Sequence, residues 1–192
     1  MKRLFSFFAI LSFLVLCVQG DGQDKAADKK VAFKYGGVKT CKACHLVAKS
    51  GAQYKIWAKG PHARAYETLK TPKSQETAKK LGIDDPLKSE KCLKCHVTAF
   101  GVKASLKGPK LKLEEGVSCE ACHGPGSVYK KRQIMKDIFA GKVKGAKYGL
   151  VLPTEKVCVK CHNSESPFYK GFDFKKMAAK IAHPVPKKSA AK

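Results

Sequence analysis

Acidic residues are scarce in this sequence: 15 Asp and Glu stand against 39 Lys and Arg, a formal charge of +24. A surface this positive steers encounters with acidic partners or anions, and dispersed Lys also keeps a chain soluble. Long apolar stretches are equally few. The longest run goes from Leu4 to Val18, broken only by Ser6 and Ser12. A spanning helix takes about 20 apolar residues, so no stable membrane span is expected. Histidine is limited to six residues in 192. Motifs for reading RNA or DNA are missing, and no nucleic-acid partner is expected.

The apolar run follows Met1-Lys2-Arg3 and ends at Gly20, before polar Asp21-Gly22-Gln23-Asp24. This layout reads as a signal peptide over 1–20, and so as export. Its loss would leave 37 basic against 15 acidic residues, a formal +22. Nine cysteines are an odd number for an exported chain, but Cys17 would leave with the signal. The other eight all belong to one repeated motif, so no thiol is left for a disulfide.

That motif is Cys-x-x-Cys-His. It occurs at Cys41-Lys42-Ala43-Cys44-His45, Cys92-Leu93-Lys94-Cys95-His96, Cys119-Glu120-Ala121-Cys122-His123 and Cys158-Val159-Lys160-Cys161-His162. It is the attachment signal for c-type haem. Thiols two residues apart lie about one helical turn apart and reach the two vinyl groups of one porphyrin, while the adjacent His takes an axial site on the iron. Zinc also uses paired cysteines, but it needs no His directly after the second one, and here all four units have it. The expected cofactors are four haem c, with His45, His96, His123 and His162 as proximal ligands.

Distal positions are harder to fill. Only His62 and His183 remain for four irons. Both are candidate distal ligands, so at least two haems must use Met, an amine, Tyr, water or nothing. Met135 is a weaker candidate, because Met beside Ile134, Ile138 and Phe139 suits core packing.

The first Cys residues lie at 41, 92, 119 and 158, too unevenly for a solenoid repeat. The expected layout is a flexible, Lys-rich segment over 21–40, one tetrahaem domain over 41–186 and a basic tail over 187–192. Pro61 opens a helix through Leu69, Thr71-Pro72 opens another that Gly82 ends, and Ser127 is placed to cap a helix running to about Ala140. Residues 100–113 read as a loop with a possible short hairpin. Pro153-Thr154-Glu155 opens the helix of the fourth unit, and Asp173 caps a last helix over 174–182. Apolar surface is limited, so folding is expected to depend on haem attachment.

Several stretches resemble the tetrahaem cytochromes of the c554 family, in its short form. These are Trp57 with Pro61-His62-Ala63-Arg64-Ala65, Val97-Thr98-Ala99-Phe100-Gly101 after the second unit, Gly116–Gly126, and Ser166-Pro167 with Ile181-Ala182-His183-Pro184. The resemblance implies a mainly α, small multihaem fold, with helices and irregular loops wrapped around four closely packed haems. It implies periplasmic electron transfer, a distal role for His62, and one haem without a sixth ligand. Long-form relatives carry a His after this Gly-Pro-Gly. Ser127–Gly141 has none and offers only Tyr129 and Met135.

The expected function is therefore electron relay between redox proteins with acidic docking surfaces, without catalysis by the chain itself. The rival is a haem enzyme acting on a small nitrogen species such as NO at an open distal position. A Cys-x-x-Cys-Lys unit, which dedicated nitrite reductases use, is not present.

Overall fold

A computed structural model describes residues 32–186. The expected signal peptide, most of the 21–40 segment and the 187–192 tail lie outside the described residues.

Within 32–186 the chain forms short helices joined by irregular connections, and no named strand. In order they are α1 Lys39–His45, α2 Gln53–Lys59, α3 Ala65–Thr68, α4 Pro72–Lys80, α5 Glu90–His96, α6 Cys119–His123, α7 Arg132–Phe139, α8 Glu155–Cys158 and α9 Phe174–Ile181. The longest has nine residues. Helices this short are marginal alone, because nucleation costs several fixed dihedrals before the first hydrogen bond forms. They persist through tertiary contacts.

Several ends follow from local chemistry. Thr71 caps α4 by accepting from the Ser74 N–H at 3.3 Å, with Pro72 in the first turn. Leu81 and left-handed Gly82 close it. Asp173 caps α9 through the Lys176 N–H at 2.9 Å. Gly124 ends α6 at φ +74°, and a Cβ there would sit 2.6 Å from the Gly149 carbonyl oxygen, so only glycine fits.

Other expectations are corrected. Ser127 does not cap a helix. Its hydroxyl accepts from the Lys34 N–H at 2.8 Å, and α7 begins only at Arg132. Residues 62–69 split into a 3-10 turn, His62–Arg64, and the single-turn α3. Residues 100–113 form no hairpin. They make 3-10 turns, with an isolated bridge from Lys107 to Tyr35. The fourth unit leaves its helix at Cys158, and Cys161 and His162 follow in a turn whose N–H groups both bond the Cys158 carbonyl.

The apolar core is small. Leu69, Leu93 and Val97 form its centre, with Tyr66, Leu87, Cys92 and Phe100 against it. Each buried aliphatic side chain contributes about 1.5–3 kcal/mol. Leu152, Phe168 and Val185 meanwhile stay more than half exposed. Polypeptide alone leaves much apolar surface uncovered in this fold.

Three of the segments carrying the family resemblance meet at one place. Trp57 Nε1 donates to the Val117 carbonyl at 2.9 Å, and Val117 N–H donates to the His62 carbonyl at 3.0 Å. Thr98 N–H donates to the Gly116 carbonyl at 2.9 Å, and its hydroxyl accepts from the Ser118 N–H at 2.7 Å. The second unit, the His62 turn and the approach to the third unit are thereby locked together.

Candidate haem sites

The first three Cys-x-x-Cys-His units lie on short helices, so the two thiols of each share one face, whereas in the fourth only Cys158 is helical. All eight thiols are free. Burial and Cys95 push the Cys161 thiol up to about 12, and burial raises those of Cys92, Cys122 and Cys158. The neighbouring Cys41 thiol, together with burial, keeps the Cys119 thiol protonated. Zinc would need thiolates gathered at one point. Among the described residues, no group of three or more His, Cys, Asp or Glu is arranged to hold a metal ion.

The histidines after the thiols are oriented by second partners. His96 Nδ1 lies 2.6 Å from the Ala65 carbonyl oxygen, and His123 Nδ1 lies 3.2 Å from that of Val151. A carbonyl oxygen only accepts, so each ring carries its proton on Nδ1 and keeps the Nε2 lone pair for a metal. His45 Nδ1 lies 3.1 Å from Gln53 Oε1. The Gln53 amide nitrogen donates to the Pro184 carbonyl at 2.9 Å and also bonds Ser50, which turns its oxygen toward His45. His162 is set differently, stacked on Phe172 with ring centroids 5.0 Å apart.

The two remaining histidines each face one of these rings. His62 and His162 have centroids 5.9 Å apart, and so do His123 and His183. Metal–imidazole nitrogen bonds run at about 2.0–2.1 Å for zinc, so two in line across one ion would put ring centroids roughly 6 Å apart. Burial holds the pKa values of His62, His123 and His183 below the ordinary imidazole range, with neighbouring histidines adding to it. Neutral imidazole is the form that binds a metal. His183 Nδ1 is buried without a hydrogen-bond partner. Among the described residues His45 and His96 have no such facing histidine ring. Paired thiols, oriented imidazoles and uncovered apolar surface together fit haem rather than zinc.

Met135 sits half-buried on α7 beside Ile134 and Ile138, and Met177 lies exposed on α9. Tyr129, the other residue near the Gly-Pro-Gly with ligand chemistry, is buried and donates its hydroxyl to the Gly124 carbonyl at 2.9 Å. Burial raises its pKa, so the phenol stays neutral.

Sequence reasoning missed Gln53, Glu115 and Glu120. Gln53 ties the first unit to Pro184. Glu120, between the cysteines of the third unit, is 1% exposed and accepts from the N–H groups of Gly36, Gly37 and Gly126. The only signal in the sequence was a carboxylate between two cysteines in a chain poor in acids.

The family described as "Cytochrome c554 and c-prime" matches residues 40–124. The protein named "Cytochrome c-554" from Nitrosomonas europaea (strain ATCC 19718) is 33% identical over 170 residues, covering 78% of this chain and 65% of that relative's length. No solved structure matches the chain. With the first three Cys-x-x-Cys-His units inside the matched segment and the described fold mainly helical, the chain is similar to the cytochrome c554 family, and it spans just under two thirds of that relative's length.

Proposed function

We propose that the chain binds four c-type haems covalently, one on each unit, and relays electrons between redox proteins in the periplasm. The observation that supports this best is the order in which the units touch. The Cys41 thiol lies near that of Cys119, Cys122 is close enough to feel Cys158, and Cys161 lies near Cys95, with its Sγ 3.9 Å from the Lys94 carbonyl oxygen. The units thus run first, third, fourth, second in one file, with no site isolated. Bound haem supplies the ferric/ferrous couple. Gln53, Ala65 and Val151 fix the rings of His45, His96 and His123 through Nδ1. His62 serves the fourth site from the far side, and His183 the third. The ends of the file, at His45 and His96, have one histidine each. Different axial ligation sets different potentials, which gives the file direction. The positive surface recruits partners with acidic docking faces. Export by residues 1–20 delivers the chain to the compartment where haem is attached.

A second reading rests on the same asymmetry: a site with one histidine takes a small ligand such as NO and acts as an enzyme. One experiment separates the two. The exported holoprotein should show four haem additions by mass spectrometry. Its oxidised EPR spectrum should contain two low-spin His/His signals, one lost in His62→Ala and the other in His183→Ala. Fewer than four additions, or spectra unmoved by both substitutions, would refute the relay as drawn. Sustained turnover of NO by the purified protein would favour the enzyme.

A further inference from the structure

The chain has 15 acidic residues, and among the described residues two of the four buried polar side chains are glutamates, both just ahead of or within the third unit. Glu120 is fully partnered: its carboxylate accepts from Gly36 and Gly37 at 2.8 Å each and from Gly126 at 2.6 Å. Glu115, five residues earlier, is 9% exposed. Its Oε2 accepts from the Val38 N–H at 2.9 Å, but its Oε1 is buried with no partner. Both carboxylates grip the segment 36–38 that leads directly into the first unit. The thiols they flank, Cys41 and Cys119, are the pair that joins the first unit to the third.

The surroundings of Glu115 are mixed in charge. Lys39 on α1 is the cation that favours its ionised form, and the nearby Glu120 carboxylate opposes it. The elements packed against Leu113–Glu115 are the 62–64 turn, with His62 and Arg64, and α3, with Tyr66 and Glu67. Glu114 is felt by the Lys70 ammonium, and the Glu115 N–H donates to the Lys112 carbonyl at 3.3 Å. On the Glu120 side lie Tyr35, Tyr129 and Lys130. Burial, then Glu120, pushes the Glu115 carboxyl above the usual carboxylate range.

We propose that Glu115 is a redox-linked proton site: it takes a proton when the first or third site gains an electron, and returns it on reoxidation. The proposal rests on the four-haem reading. One electron comes from a reduced partner protein and turns one ferric iron ferrous. One proton comes from solvent and turns the Glu115 carboxylate into the acid. The bare Oε1 is the atom that receives it. The net charge of the region is unchanged, which matters where low dielectric makes an added charge costly. Glu120, saturated by three N–H donors, holds the two units in register and keeps its own oxygens occupied.

The test is a spectroelectrochemical titration of the holoprotein between pH 5 and 8, after haem counting. A count below four rejects the four-haem reading and is scored separately. In the wild type, at least one potential should fall as pH rises. The limiting slope is a tenfold change in proton activity per pH unit, or about 59 mV for one electron. Glu115→Gln, fixed as neutral, should abolish that slope with all four haems retained. A wild type without the slope, or a slope that survives in Glu115→Gln, overturns the proposal and points to the haem propionates. If Glu115→Gln does not assemble, reduced-minus-oxidised infrared spectra of the wild type decide. A carboxylic acid C=O band gained on reduction that shifts in Glu115→Asp upholds the proposal, and its absence, or a band unmoved in that variant, overturns it.

Discussion

At the scale of the residue, burial decides which carboxylates matter. Glu120 satisfies three N–H groups from two separate segments, and all three lose their acceptor if it is truncated. A buried donor left unpaired costs about 1–3 kcal/mol. Glu120→Ala should therefore destabilise the holoprotein by about 3–5 kcal/mol, read from denaturant unfolding. Glu76 makes the useful contrast. It pairs with Lys80 at 2.6 Å, but both side chains are about two-thirds exposed. Exposed pairs of this kind contribute about 0.3–0.5 kcal/mol on a helix. Glu76→Ala should shift unfolding by no more than that. A loss as large as for Glu120→Ala would mean that charge, not burial, is what counts.

At the scale of the element, the helices are set by what stops them. α6 has five residues and carries the third unit whole. Gly124 must close it in the left-handed region, with the Gly149 carbonyl 2.6 Å from where a Cβ would stand. That closure aims the chain so that Val151 meets His123 twice, N–H to carbonyl at 2.9 Å and carbonyl to Nδ1 at 3.2 Å. Gly124→Ala should cost about 1–3 kcal/mol in backbone strain. It should also disturb the third site more than the second, visible as one altered low-spin EPR signal. Equal disturbance at every site would show that the loop acts only through global stability.

At the scale of the whole molecule, the described residues pair a small apolar cluster with helices of only four to nine residues. The Leu69–Leu93–Val97 cluster lies by the second unit, while Leu152 and Val185 stay largely exposed. Cofactors that cover apolar surface and tie the chain covalently would supply the rest. Replacing all eight motif cysteines by Ala should give a chain with weak far-UV helicity and no cooperative thermal transition. A sharp transition at native helicity would show that the chain folds unaided.

The sequence by itself determined whatever is local. The four motifs, the Gly82 stop and the Asp173 cap depend on residues within a few positions, and all were legible. Counting histidines was enough to say that six could not supply two ligands to each of four irons. Tertiary structure decided whatever depends on distant partners. Ser127 looked like a cap, but its oxygen is taken by Lys34, 93 residues away in sequence. Glu120 looked like filler between two cysteines until the Gly36 and Gly37 amides arrived to meet it. The same holds for which ring faces which: His62 and His183 are plain in the sequence, but only packing sets them against His162 and His123. The reason is range. A cap or a turn is fixed by bonds across three or four residues, while a facing ring or a buried carboxylate needs chain ends brought together by the whole fold.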